Sequence, residues 1–254
     1  MESYAEYKEA FDRDGYVLIR QFLPPEEFEV LAANVARYIC DVVPGLDEKL
    51  VFYQDRERPE TLKQIQCMEQ NDRFFAEYAS AARWHDLART LIGEPATPMQ
   101  LEWFNKPPNT EHPTPPHQDN YYFKLVPCHV ASVWVAVDPI DRENGTLRYV
   151  AGSHRAGVRP HGRTDILGFS QGITDYTDAD EEKEVALSLE PGDALIHHGW
   201  TIHRADPNTS STRHRQAFAM VFQGESCRPD EEAKKVYADA LKNQHQELGV
   251  AATG

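Results

Sequence analysis

Apolar positions change their spacing near residue 97. Upstream they recur at helical intervals. Tyr4, Tyr7 and Phe11 share one face of "SYAEYKEAFDRDGY", and Gly15 is placed to end that helix. "PPEEFEVLAANVARYICDVV" opens with prolines and acids, as helix starts do, and puts Phe28, Leu31, Val35 and Ile39 on one stripe. "DRFFAEYASAARWHDLARTLIG" predicts one or two further helices closed by Gly93. "YVLIRQFL" and "LKQIQCME" have the length of short strands.

Downstream, short β-type runs alternate with turn residues. "VASVWVAVDPI" is strongly β-branched. Asn144-Gly145 predicts a turn before the strand "TLRYV". "EVALSLEPGDALIHHGWTIHRADPN" gives a strand, a Pro-Gly-Asp turn and a second strand with His203 at its far end, and "RQAFAMVFQ" adds another. Residues 154–186 are polar and irregular, the length of a mobile or functional loop. "PDEEAKKVYADALKNQHQEL" is a polar helix. The pattern predicts one domain over 1–254: a mostly helical part (1–96), an antiparallel sandwich or barrel (97–224) and a C-terminal helix (225–254).

Composition narrows the partners. Hydrophobic residues at 41% and charged residues at 26% are ordinary for a globular chain, and no apolar run is long enough for a membrane span. A formal net charge of −15 would repel a nucleic acid. Cys40, Cys67, Cys128 and Cys227 form no CxxC pair, so a zinc-thiolate site or disulfide framework is not expected. With no apolar leader in "MESYAEYKEAFDRDGY", free thiols suggest a reducing cytoplasm.

"PPHQDNYYF" carries the chemistry. His117 and Asp119 stand two apart, a spacing that turns both side chains to one side of an extended segment. A histidine from a second strand would complete three ligands on one metal face, and His203 is the favoured residue. His197 and His198 read as strand residues facing another layer. Two imidazoles and one carboxylate with open positions form the facial triad of non-haem Fe(II) oxygenases, whereas a closed structural zinc site is usually thiolate-rich. Arg215 starts the following strand, where it can fork a carboxylate such as the distal end of 2-oxoglutarate.

These segments resemble the phytanoyl-CoA dioxygenase family of Fe(II)/2-oxoglutarate-dependent oxygenases. The resemblance runs through "FDRDGYVLIRQFLPPEE", "FNKPP", "PPHQDNYYF", "VWVAVDPIDRENGTLRYVAGSH" and "GDALIHHGWTIHRADPNTSSTRHR". It implies a double-stranded β-helix, or cupin-like jelly roll, flanked by helices. It implies that His117, Asp119 and His203 bind Fe(II) and that Arg215 binds 2-oxoglutarate. It also implies that Trp134 lines the co-substrate pocket and that Lys63 reaches the co-substrate. Ala205 stands where the family often has serine, so a hydroxyl contact is missing. The implied reaction consumes O₂, releases succinate and CO₂, and hydroxylates an unactivated C–H bond of a small molecule.

Asn120 and Tyr122 are candidate substrate contacts, and the basic stretch "HRAGVRPHGR" is a candidate reader of an anionic substrate group. Asp119 argues against halogenation, which needs its position vacant for halide. Two rivals remain: a non-catalytic ligand- or metal-binding β-sandwich, and a zinc hydrolase. The hydrolase has no use for Arg215.

Overall fold

The computed structural model describes residues 4–164 and 171–237. Two antiparallel sheets form a jelly roll. The larger has seven strands in the order Tyr16–Ile19, Ala194–His198, Val130–Ala136, Arg215–Gly224, Ala96–Lys106, Leu62–Ile65 and Val51–Tyr53. The smaller has four: Glu184–Ala186, Leu147–Val150, His203–Ala205 and Thr114–His117. The change of texture near residue 97 coincides with the strand Ala96–Lys106. That first part also gives the larger sheet three of its strands, two of them in the expected segments "YVLIRQFL" and "LKQIQCME".

The period-two pattern of "RQAFAMVF" sorts the two faces of the larger sheet. Phe218, Met220 and Phe222 pack outward with Val133, Val135 and Ile196 against a helical layer that includes Leu31, Val35, Phe75, Trp84 and Leu87. Ala217 and Ala219 face inward with Trp134 and Leu195, toward Leu147, Tyr149 and Ala205 of the smaller sheet. The helical layer comes from Ala5–Asp14, Pro25–Arg37, Arg73–Ala79 and Ala82–Ile92. Gly15 and Gly93 end two of these helices in left-handed conformations (φ 82° and 93°). Large residues outside and small ones inside leave a lined interior instead of a filled core.

Two expectations are corrected. The segment read as one strand ending in His203 is two: Ala194–His198 in the larger sheet and His203–Ala205 in the smaller. Residues 154–186 are not simply irregular. They hold a helical turn at Ser153–Ala156, a hairpin of His161–Arg163 with Gln171–Ile173, a short helix Asp178–Glu181 and an edge strand Glu184–Ala186. The middle of that segment, 165–170, lies outside the described residues, and the expectation of a mobile or functional loop falls partly on it. Of the polar C-terminal helix, residues 231–237 are helical and 238–254 lie outside the described residues.

Candidate metal and co-substrate site

His117 is the last residue of its strand, and its register partner is His203 on the neighbouring strand. Asp119 is not on that strand. Its backbone is already helical (φ −57°, ψ −42°) at the start of the turn Asn120–Phe123. The convergence of His117 and Asp119 therefore comes from a strand-to-helix corner and not from strand alternation. The ligand atoms of His117, Asp119 and His203 lie within 4.8 Å of one another. Among the described residues they are the only such grouping of three or more.

Backbone contacts fix both imidazoles. His117 Nδ1 lies 2.8 Å from the Pro115 carbonyl and His203 Nδ1 lies 3.0 Å from the Thr201 carbonyl. A carbonyl only accepts, so each Nδ1 carries the proton and each Nε2 presents a lone pair. Burial lowers the pKa of His117, and it holds His203 well below its ordinary value. Both rings are thus poised neutral, the form that binds a metal. For Asp119, burial works to raise the carboxyl, but His203, His197 and His117 together hold it far below the usual range.

The two oxygens of Asp119 do different things. Oδ1 lies 3.6 Å from His117 Nε2 and 3.5 Å from His203 Nε2. Oδ2 accepts from Ser132 Oγ at 2.6 Å and from His197 Nε2 at 3.0 Å. His197 Nδ1 in turn lies 3.1 Å from the Tyr149 hydroxyl, and the Tyr149 ring stacks on Tyr16. His197 thus faces the site, which corrects its reading as a residue of another layer. His198 does turn away, toward Phe11 and His154.

Arg215 lies on the inward face of its strand, 5% exposed, with its guanidinium carbon 5.3 Å from the centroid of the Trp134 ring. Its Nε is buried with no hydrogen-bond partner, and burial lowers its pKa to about 10. Two lysines surround it. Lys106 is its cross-strand partner, and sequence reasoning missed it. Burial first, then Arg215 and Lys63, hold Lys106 well below its ordinary pKa. Lys63 lies where the pairing with Val51–Tyr53 slips register, and it too is lowered by burial and by Arg215. Arg213 points elsewhere, into exposed ion pairs with Asp141 (2.9 Å) and Glu143 (2.6 Å).

The candidate substrate contacts fare less well. Asn120 is fully buried, and its carboxamide bonds both the nitrogen and the carbonyl of Leu125. These bonds close a turn. Tyr122 stands edge-on to His117 at 6.1 Å, with its hydroxyl donating to the Gln171 carbonyl. The basic stretch is also engaged. Arg155 donates to the Arg13 carbonyl, and Arg159 pairs with Asp175 and Asp180. Ala205 is buried in the inner wall beside Ala217, as the missing hydroxyl requires.

The family model for phytanoyl-CoA dioxygenase (PhyH) matches residues 11–217. A probable phytanoyl-CoA dioxygenase of Caenorhabditis elegans is 26% identical over 243 residues, which cover 88% of this chain and 77% of that protein. A probable alpha-ketoglutarate-dependent hypophosphite dioxygenase of Stutzerimonas stutzeri is 24% identical over 218 residues, covering 84% and 76%. Among solved structures, EctD from S. alaskensis with 2-oxoglutarate and 5-hydroxyectoine superposes with a TM-score of 0.73 at 20% identity, covering 88% of this chain and 77% of that one. That likeness is one of fold. The match to the family model spans most of the chain, and the chain belongs to the phytanoyl-CoA dioxygenase family of 2-oxoglutarate-dependent dioxygenases.

Proposed function

We propose that this protein uses Fe(II), 2-oxoglutarate and O₂ to hydroxylate an unactivated C–H bond of a small organic substrate, with release of succinate and CO₂. The observation that carries the reading is the pairing of two features between the two sheets. Two neutral imidazoles and a carboxylate oxygen converge, and Arg215 is buried on the inward face of the larger sheet with an unpartnered Nε. A donor set of two nitrogens and one oxygen fits a non-haem Fe(II) with open positions. A buried guanidinium lacking a partner fits a carboxylate that arrives with a ligand.

In this reading His117, Asp119 and His203 hold the iron, while Ser132 and His197 orient Asp119. Arg215 takes the distal carboxylate of 2-oxoglutarate, Trp134 forms a wall beneath it, Lys63 reaches toward the co-substrate, and Lys106 is held beside Arg215 by the Asp206 carbonyl. Iron with its co-substrate and O₂ supplies the oxidising power when bound, and the protein supplies position and dryness. Dryness comes from the apolar wall of Leu195, Ala217 and Ala219.

The three N-terminal strands that complete the larger sheet support reading the chain as one domain. The four free cysteines support a reducing compartment such as the cytoplasm. No helix of the described residues is long and apolar enough to cross a membrane.

The test is anaerobic addition of Fe(II) and then 2-oxoglutarate. A weak visible charge-transfer band, followed by succinate formation on admitting air, is expected. Metal binding without the band, or a band without succinate, would overturn the reading in favour of a binding protein.

A further inference from the structure

One carboxyl in the cavity holds neither iron nor co-substrate in this reading. Glu102 lies on the strand Ala96–Lys106 opposite Ala219, and Ala219 in turn lies opposite Trp134. Cross-strand partners point to the same side of a sheet, so Glu102 projects inward with the Trp134 wall. Its neighbour Trp103 packs outward, into the helical layer. The adjacent row runs from Gln100 to Val221 to Ser132, the residue that bonds Asp119. Glu102 and Gln100 therefore stand along the wall that leads to the metal triad.

The lining around Glu102 consists of carboxamides. Gln64 Nε2 donates to its Oε1 at 3.3 Å, and Gln100 donates to the same oxygen. Gln66 also hydrogen-bonds the carboxylate. No lysine or arginine among the described residues is ion-paired with it. Burial raises the Glu102 pKa to about 8, with the charge of Asp119 adding to the effect. A carboxyl kept in such a place without a counter-ion is costly to ionise.

Each glutamine that gives one N–H to Glu102 keeps its carbonyl oxygen and a second N–H. The wall thus sets carboxamide oxygens beside one potential negative charge. An ammonium or guanidinium group presents only donors and carries the missing charge. A cation favours the ionised carboxylate that burial otherwise disfavours, which a neutral alcohol does not, and a second acid would be repelled by Asp119.

We infer that Glu102, with Gln64, Gln66 and Gln100, is the substrate-recognition subsite and that it takes a protonated amine or guanidine on the substrate. This assignment rests on the proposed oxygenase function and names its substrate class. The rest of the substrate then extends along the row toward Ser132 and the iron. The assignment also replaces the expectation of an anionic substrate, whose candidate arginines are engaged elsewhere.

The experiment uses the full chain loaded anaerobically with Fe(II) and 2-oxoglutarate. Alkylamines and alkylguanidines are compared with alcohols and carboxylates of the same chain length. Binding is read by calorimetry and by perturbation of the charge-transfer band, and turnover by succinate release in air. The cations should bind and stimulate succinate release above the level without substrate. Glu102→Gln should weaken their binding by about tenfold or more, as expected from losing a charge-assisted contact. Gln100→Leu should weaken it less, and it keeps the test alive if the first variant folds poorly. Preference for the acids or alcohols, no binding of any cation, or cation affinity unchanged in both variants would overturn the inference. If the wild-type protein forms no band at all, the proposed function fails instead.

Discussion

His197 Nε2 lies 3.0 Å from Asp119 Oδ2, the carboxylate oxygen turned away from the other two imidazoles. The histidine donates, since a carboxylate only accepts, and its Nδ1 is left to accept from the Tyr149 hydroxyl. A carboxylate gripped at one oxygen is free to offer only the other.

That grip predicts the effect of removing it. His197→Phe keeps the ring volume and loses the donor, and Fe(II) affinity should fall about 10- to 100-fold, the usual cost of losing a hydrogen bond behind a metal ligand. His197→Gln, which restores an N–H, should recover part of the loss, an outcome that a purely packing role would not produce. His198→Ala should leave iron affinity near wild type. Metal titrations followed by circular dichroism on the same samples check all three.

Asp119→Ala should abolish succinate formation and most iron affinity while leaving the unfolding transition cooperative. One anionic donor is removed and little core volume with it. Retention of full iron affinity would exclude Asp119 as a ligand.

For the co-substrate, Arg215→Ala should raise the apparent KM for 2-oxoglutarate by at least about tenfold. Arg213→Ala should be near neutral, because its guanidinium is held outside the cavity by Asp141 and Glu143. Steady-state succinate assays on both variants decide it, and the reverse ranking would move the carboxylate site to Arg213.

Glu102 gives a prediction about stability and pH. Its folded pKa of about 8 stands above its ordinary 4.5. The folded state therefore keeps a proton that the unfolded chain has released. Its contribution is fully present below about pH 4.5 and is lost as pH rises toward about 8. In the metal-free protein, Glu102→Gln should raise Tm relative to wild type progressively across that window. A difference that stays flat with pH would refute the raised pKa.

The grouping of His117, Asp119 and His203 and the inward placement of Arg215 were legible because each sits in a local pattern: a His-X-Asp fork, a histidine after a Pro-Gly-Asp turn, and an arginine heading an alternating strand. Ala217 and Ala219 against Phe218 and Phe222 also told which face was inside. His197, Lys106 and Glu102 were not legible, for one shared reason. Each reaches the site through cross-strand register, His197 beside Ser132, Lys106 beside Arg215 and Glu102 beside Ala219. Register is a tertiary property that period alone does not carry. Asn120, a candidate contact because it is polar and next to a ligand, also has a structural use, since its carboxamide closes the turn to Leu125.

The chain leaves the larger sheet at His198 and enters the smaller one at His203. Ser132 and His197 therefore belong to one layer, His117 and His203 to the other, and Asp119 is bonded toward both. In the proposed reading an ion held by His117, His203 and Asp119 is tied to the larger sheet through the hydrogen bonds of Asp119 to Ser132 and His197, a polar crossing that the Tyr149–His197 contact repeats. Its capture adds to the resistance against peeling the layers apart, by about 2.7 kcal/mol when free metal stands at a hundredfold excess over Kd. Delamination of the sandwich and escape of the ion become a single event.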